Sequence, residues 1–139
     1  MPHFFTGVET SVGYIAAGRD AVHVDSMEQK SSTLTFKGDI NSRFCRPEYQ
    51  KLRWHPFQLT FEDVKVYRCE NIEVYPWQEW NCEYAFSEVM NSEWHAEYGM
   101  EKDIYRHFIF ETYDYIYFVL CKNFEMVMTE QRDYEKIDG

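Results

Sequence analysis

The side chains in this sequence that could do chemistry are few, and most come in pairs. His95-Ala96-Glu97 has the H-x-E spacing with which zinc deaminases combine a metal ligand and a proton-transferring glutamate. That chemistry also needs a downstream Pro-Cys-x-x-Cys to complete the zinc sphere, and Cys121 stands alone. The triplet therefore reads as the exposed face of a short helix. His107 and Glu111 are four residues apart, which in a strand puts both on one side, where they could hold a metal or share a proton. Two ligands do not make a metal site, so a partly exposed hydrogen-bonding pair is the simpler reading. Glu62-Asp63 and the pair Glu70 and Glu73 could pose as acid and base, but such pairs are defined by separation in space. With 24 acidic residues in the chain, neighbouring carboxylates arise by chance. GxGxxG, GxxxxGKS/T, GxSxG and HExxH are all missing. The expectation is a protein with no catalytic, cofactor-binding or metal-ligating residues.

Binding chemistry leaves a clearer trace. Trp77, Trp80 and Trp94 lie among Glu79, Glu83, Glu93 and Glu97, and aromatic anchors ringed by charge serve protein interfaces and sugar platforms alike. Core packing is the competing reading for the tryptophans. Charge is uneven around them: residues 1–61 hold six acidic and seven basic side chains, for +1, and residues 62–139 hold eighteen and seven, for −11. A surface of that sign repels phosphate backbones, so nucleic acid is not the expected partner. It would instead speed encounter with a basic protein, an effect that salt screens. Ordinary solubility is the bland alternative.

At 139 residues the chain suits one hydrophobic core and one domain, and aromatics at 19% supply large apolar areas for it. No apolar run approaches the roughly 20 residues that cross a bilayer, and Met1-Pro2-His3-Phe4-Phe5 lacks the basic and apolar regions of a signal peptide. Cys45, Cys69, Cys82 and Cys121 contain no CxxC pair and read as buried or half-buried thiols. These features predict a cytoplasmic protein without a membrane partner.

The elements that must position these residues are mainly strands. Phe57, Leu59 and Phe61 alternate with Gln58, Thr60 and Glu62, the pattern of a half-buried strand, and a shift of spacing at Glu62-Asp63 predicts a bulge or tight turn. Val12 to Ala17 and Ala21 to Asp25 flank Gly18-Arg19-Asp20 and predict a hairpin. Thr33 to Ile40 is a further strand, 41–53 a loop or single helical turn, and Ile72 to Tyr75 and Cys82 to Phe86 short strands. Asn91-Ser92 caps a brief helix over Glu93 to Tyr98, which Gly99 ends. Tyr105 to Thr112, Tyr115 to Cys121 and Phe124 to Thr129 predict a three-stranded meander whose middle strand, apolar on both faces, is covered on both sides. Residues 130–139 read as a frayed tail. The fold class is mainly β, an antiparallel β-sandwich or roll with one or two short helices, with α+β as the alternative.

Three segments carry a resemblance. Trp54-His55-Pro56-Phe57-Gln58-Leu59-Thr60-Phe61-Glu62-Asp63-Val64 is followed by Phe86-Ser87-Glu88-Val89-Met90-Asn91-Ser92-Glu93-Trp94, then by Arg106-His107-Phe108-Ile109-Phe110-Glu111-Thr112-Tyr113-Asp114. Over roughly residues 54–125 the chain resembles small uncharacterised bacterial domains, some of which accompany polymorphic toxins and look like immunity proteins. The resemblance implies no active site. The expected function is a non-enzymatic protein-binding domain, an immunity-type inhibitor of a basic toxin, with Trp77, Glu79, Trp80, Glu83, Glu93, Trp94 and Glu97 as candidate contacts. The competing readings are a carbohydrate- or small-ligand-binding β-sandwich and a structural protein, and a homodimer stays open.

Overall fold

The computed structural model describes residues 4–51, 53–71 and 83–129. Among them are nine strands: β1 (Phe5–Gly7), β2 (Val22–Lys30), β3 (Thr33–Asn41), β4 (Trp54–Glu62), β5 (Val66–Asn71), β6 (Phe86–Val89), β7 (Arg106–Glu111), β8 (Tyr115–Cys121) and β9 (Asn123–Met128). One helix, α1 (Trp94–Glu97), and two 3-10 turns, Ser42–Phe44 and Pro47–Tyr49, join them. The strands form two antiparallel sheets, ordered β1-β6-β7-β8-β5 and β2-β3-β4-β9. No helix among the described residues is long and apolar enough to cross a membrane.

Alternation decides which side chains meet. Successive strand residues point to opposite faces, so Leu34, Phe36 and Ile40 of β3 and Phe57, Leu59 and Phe61 of β4 turn inward from one sheet. Phe86, Phe108, Phe110, Tyr117 and Val119 meet them from the other. Their rings touch edge to face or tilted, with centroids 5.4 Å apart for Phe36–Phe110, 4.7 Å for Phe36–Tyr117 and 5.7 Å for Phe61–Phe108. Each such ring contributes about 1.5–3 kcal/mol by burial and about 1 kcal/mol more by its pairing geometry. The chain is therefore an antiparallel β-sandwich with a short helix, and its centre is aromatic.

Strand β8 is buried on both faces, as its composition requires. Tyr117, Val119 and Cys121 point between the sheets, while Ile116, Phe118 and Leu120 join Val89, Trp94 and Ile109 in a second cluster on the far side. The tight turn at the two acids is also present, with Asp63 at φ 54. Two connections differ from expectation. Residues 12–17 do not pair with β2; instead the Ala17 amide donates to the Glu83 carbonyl and the Ala85 amide to that of Ile15. The partner of β2 is β3, through Ser31 at φ 54, a turn without the glycine that usually marks one.

The predicted meander is likewise overturned, because β9 pairs with β4 and not with β8. A two-residue hairpin needs positive φ, and neither Lys122 nor Asn123 has it. The chain instead changes sheets at Lys122, whose amide donates to the Glu62 carbonyl at 3.1 Å. Cys45 and Cys121 are buried free thiols, but Cys69 is exposed on the edge strand β5. The predicted strand over 72–75 and the tail 130–139 lie outside the described residues, as does Cys82; of the strand expected from Cys82 to Phe86, Tyr84 makes only an isolated bridge to Ala16 and β6 begins at Phe86.

Asp25 is unpaired between Val24↔Gly38 and Ser26↔Lys37, a bulge that bends β2 along β3. Gly38 is what permits it, since a Cβ there would collide with the His23 carbonyl oxygen and crowd the Val24 Cα at 2.9 Å. Gly38→Ala should destabilise the fold by about 1–3 kcal/mol, the usual cost of overpacking. Urea unfolding monitored by tryptophan fluorescence measures it, and Lys37→Ala, at an exposed site beside it, should cost a few tenths.

Candidate functional site

The segment between β6 and β7 is the part of the acidic region that the described residues contain. It begins where Met90 leaves β6, with the Met90 amide donating to the Phe4 carbonyl at 2.8 Å and the Phe4 amide to Asn91 Oδ1 at 2.7 Å. Ser92 then supplies the capping oxygen that the sequence predicts, accepting from the Trp94 amide at 3.1 Å. Its Oγ also lies 2.6 Å from Nδ1 of the buried His107, so one hydroxyl ties the turn to strand β7. Helix α1 is a single turn, and Gly99 at φ +67 ends it as expected.

Trp94 takes the core reading. It is 7% exposed, lies flat on His107 with centroids 4.3 Å apart and planes 13° apart, and meets Phe118 at 6.2 Å. Arg68 caps this layer, its guanidinium 5.5 Å from the Trp94 ring and 5.2 Å from that of Phe118. His95 is equally committed, with Nε2–H donating to the Tyr105 carbonyl at 2.7 Å. His95-Ala96-Glu97 is therefore not an exposed triplet: the histidine is buried and only Ala96 and Glu97 face solvent. His55 is buried too, its Nε2 bonded to the Tyr49 carbonyl.

With its base fixed, the segment presents a distinct surface. Glu93 and Glu97 are exposed one helical turn apart, and Glu101 and Asp103 continue the acidic line, with Lys102 among them. Between these charges stand large apolar side chains: Met90 is 56% exposed, Ile104 43% and Tyr98 41%, with Phe4 at 61% beside Met90. Glu83 is also exposed, at the start of the chain leading into β6. Trp77, Glu79 and Trp80 lie outside the described residues. The large apolar side chains exposed on this segment are Met90, Tyr98 and Ile104, none of them among the tryptophans that the sequence singles out. For Tyr98 and Ile104 the signal was an apolar residue outside any strand alternation directly after an acid, Glu97 and Asp103; Met90 carried no such mark.

His107 and Glu111 share the outer side of β7, but both are buried and not half-exposed, because β7 is an interior strand between β6 and β8. Burial lifts the Glu111 carboxyl to about 7. No group of three His, Cys, Asp or Glu among the described residues is placed to hold a metal. No family model matches the sequence, and no curated protein or solved structure matches it significantly. The likeness to immunity-type domains rests on the three quoted segments alone.

A carboxyl raised by burial binds its proton in the folded state where the unfolded chain has already lost it. Stability should therefore fall as pH rises from about 4.5 to about 7 and then level off. The loss is on the order of 3 kcal/mol at most. Urea melts across this window should show the slope in the wild type and its loss in Glu111→Gln.

Proposed function

We propose that this chain is a non-enzymatic protein-binding domain that captures a basic protein on the surface formed by residues 90–104, in the manner of an immunity-type inhibitor covering a toxin's cationic site. The observation that carries the reading is the interleaving of exposed Met90, Tyr98 and Ile104 with Glu93, Glu97, Glu101 and Asp103 on a base locked by Trp94 and His107. The two kinds of residue divide the work. Carboxylates at a rim accelerate encounter with a cationic surface, and desolvated apolar anchors slow departure. Rigidity of the base matters because a preordered surface loses less conformational entropy on binding. Acidic charge concentrated in the second half of the chain agrees with a basic partner and disfavours nucleic acid.

Affinity capture from the native host with the full chain, read by mass spectrometry, should retain a basic protein. Its association rate should fall with salt, and Glu93→Lys with Glu97→Lys should slow association about tenfold or more and flatten that dependence. Met90→Ala and Tyr98→Ala should instead raise the dissociation rate. Capture that is indifferent to all four substitutions would remove the assignment to this surface.

A further inference from the structure

A concave site lies on the other sheet, where β3 ends, β4 begins and β2 enters. It is a half-open cleft of about 500 Å³ lined by Asp20, His23, Asn41, Ser42, Arg43, Arg53 and Trp54. That volume falls within the range of small-molecule pockets. The two arginine-bearing segments are tied together by the Ser42 amide, which donates to the Arg53 carbonyl at 3.0 Å. Asn41 Oδ1 accepts from the Arg43 amide at 3.1 Å and fixes the turn that carries that arginine.

The charges in this cleft are unusual for the chain. Arg46, Arg68 and Arg106 each meet a glutamate. Arg43 and Arg53 meet no carboxylate among the described residues, although the protein carries a net charge of −10. Two uncompensated guanidiniums converging on one concavity favour an oxyanion, which a guanidinium binds in a bidentate, charge-assisted way. The remaining acid in the lining, Asp20, is directed to His23, with Oδ1 3.6 Å from Nε2.

Aromatic groups form the adjoining wall. His23 stands edge-on to Trp54 at 5.1 Å and stacks on Tyr113 at 5.0 Å, and Arg19 lies over the far reach of the same Tyr113, 4.8 Å from its centroid. Trp54 is half-buried and lines the cleft, so its ring offers a flat apolar surface beside the two cations. Rings of this kind hold planar ligands by offset or edge contact.

We propose that this cleft binds a small aromatic anion, its carboxylate or phosphomonoester held by Arg43 and Arg53 and its ring packed against Trp54 and His23. The site is separate from the acidic surface, so either assignment can fail without the other. Titration calorimetry of the full chain with benzoate and with phenyl phosphate tests it, with inorganic phosphate and benzyl alcohol as half-ligands. Saturable binding of either aromatic anion is expected, and which of the two binds more tightly identifies the oxyanion. Each half-ligand should bind at least about tenfold more weakly. Arg43→Gln and Arg53→Gln should each weaken binding about tenfold, the loss of one hydrogen bond to a charged group. Both arginines are exposed, so melting temperature should not move; Trp54→Leu should weaken phenyl phosphate and leave inorganic phosphate unchanged. No saturation by either aromatic anion, inorganic phosphate binding as tightly as phenyl phosphate, or wild-type affinity in both arginine variants would overturn the proposal.

Discussion

Strand β8 is apolar on both faces, and a strand of that kind must be covered twice. One cover is the opposing sheet, which meets Tyr117, Val119 and Cys121 with phenylalanines from β3 and β4. The other is not one of the two sheets that the described residues form. The segment between β6 and β7 supplies it, laying Trp94, Met100 and Tyr105 over Ile116, Phe118 and Leu120. The demand of one strand for a second cover therefore creates the platform on which the acidic surface stands. Glu93 and Glu97 face outward because Trp94 and His95, on the same turn of helix, are held inward.

Covering an apolar face with a loop brings polar atoms with it, and the structure deals with them by local bonds. Ser92 serves the helix start and His107 with one hydroxyl, and His95 closes onto the Tyr105 carbonyl at the far end of the segment. Buried polar groups cost little when each finds a partner. Glu111, on the same strand as His107, shows what burial does to a charge: with no ion pair to it among the described residues, its carboxyl keeps its proton to a higher pH.

What the sequence discloses and what it conceals follow from how local each determinant is. Phe57, Leu59 and Phe61 betray their strand within a few residues, and Ser92 and Gly99 mark the helix ends, because alternation and capping are near-neighbour effects. The β2–β3 hairpin is hidden because Ser31 adopts positive φ without being glycine or asparagine, and because β2 is an edge strand with mostly polar side chains. The partner of β9 is hidden because pairing to β4 joins residues far apart in sequence. The burial of Trp94 depends on His107, and the cleft draws Asp20, His23, Arg43 and Arg53 from separate elements. No spacing rule links such residues, and both surfaces were legible only as charge asymmetry and scattered aromatics.

The change of sheet at Lys122 also orders events in time. During synthesis β2, β3 and β4 emerge in sequence and can pair as neighbours, but β4 has no partner on its other edge until β9 follows. The first sheet waits as well, since β5 has no neighbour before β8. A nascent chain that has not reached Asn123 therefore carries an open edge, Phe57 to Glu62, of the kind that recruits other strands. Late closure makes a stalled or truncated product of this chain a natural substrate for chaperones and a hazard for aggregation. The last described strand therefore closes the β2-β3-β4 sheet, and the bond from the Lys122 amide to the Glu62 carbonyl fastens its entry to the end of β4.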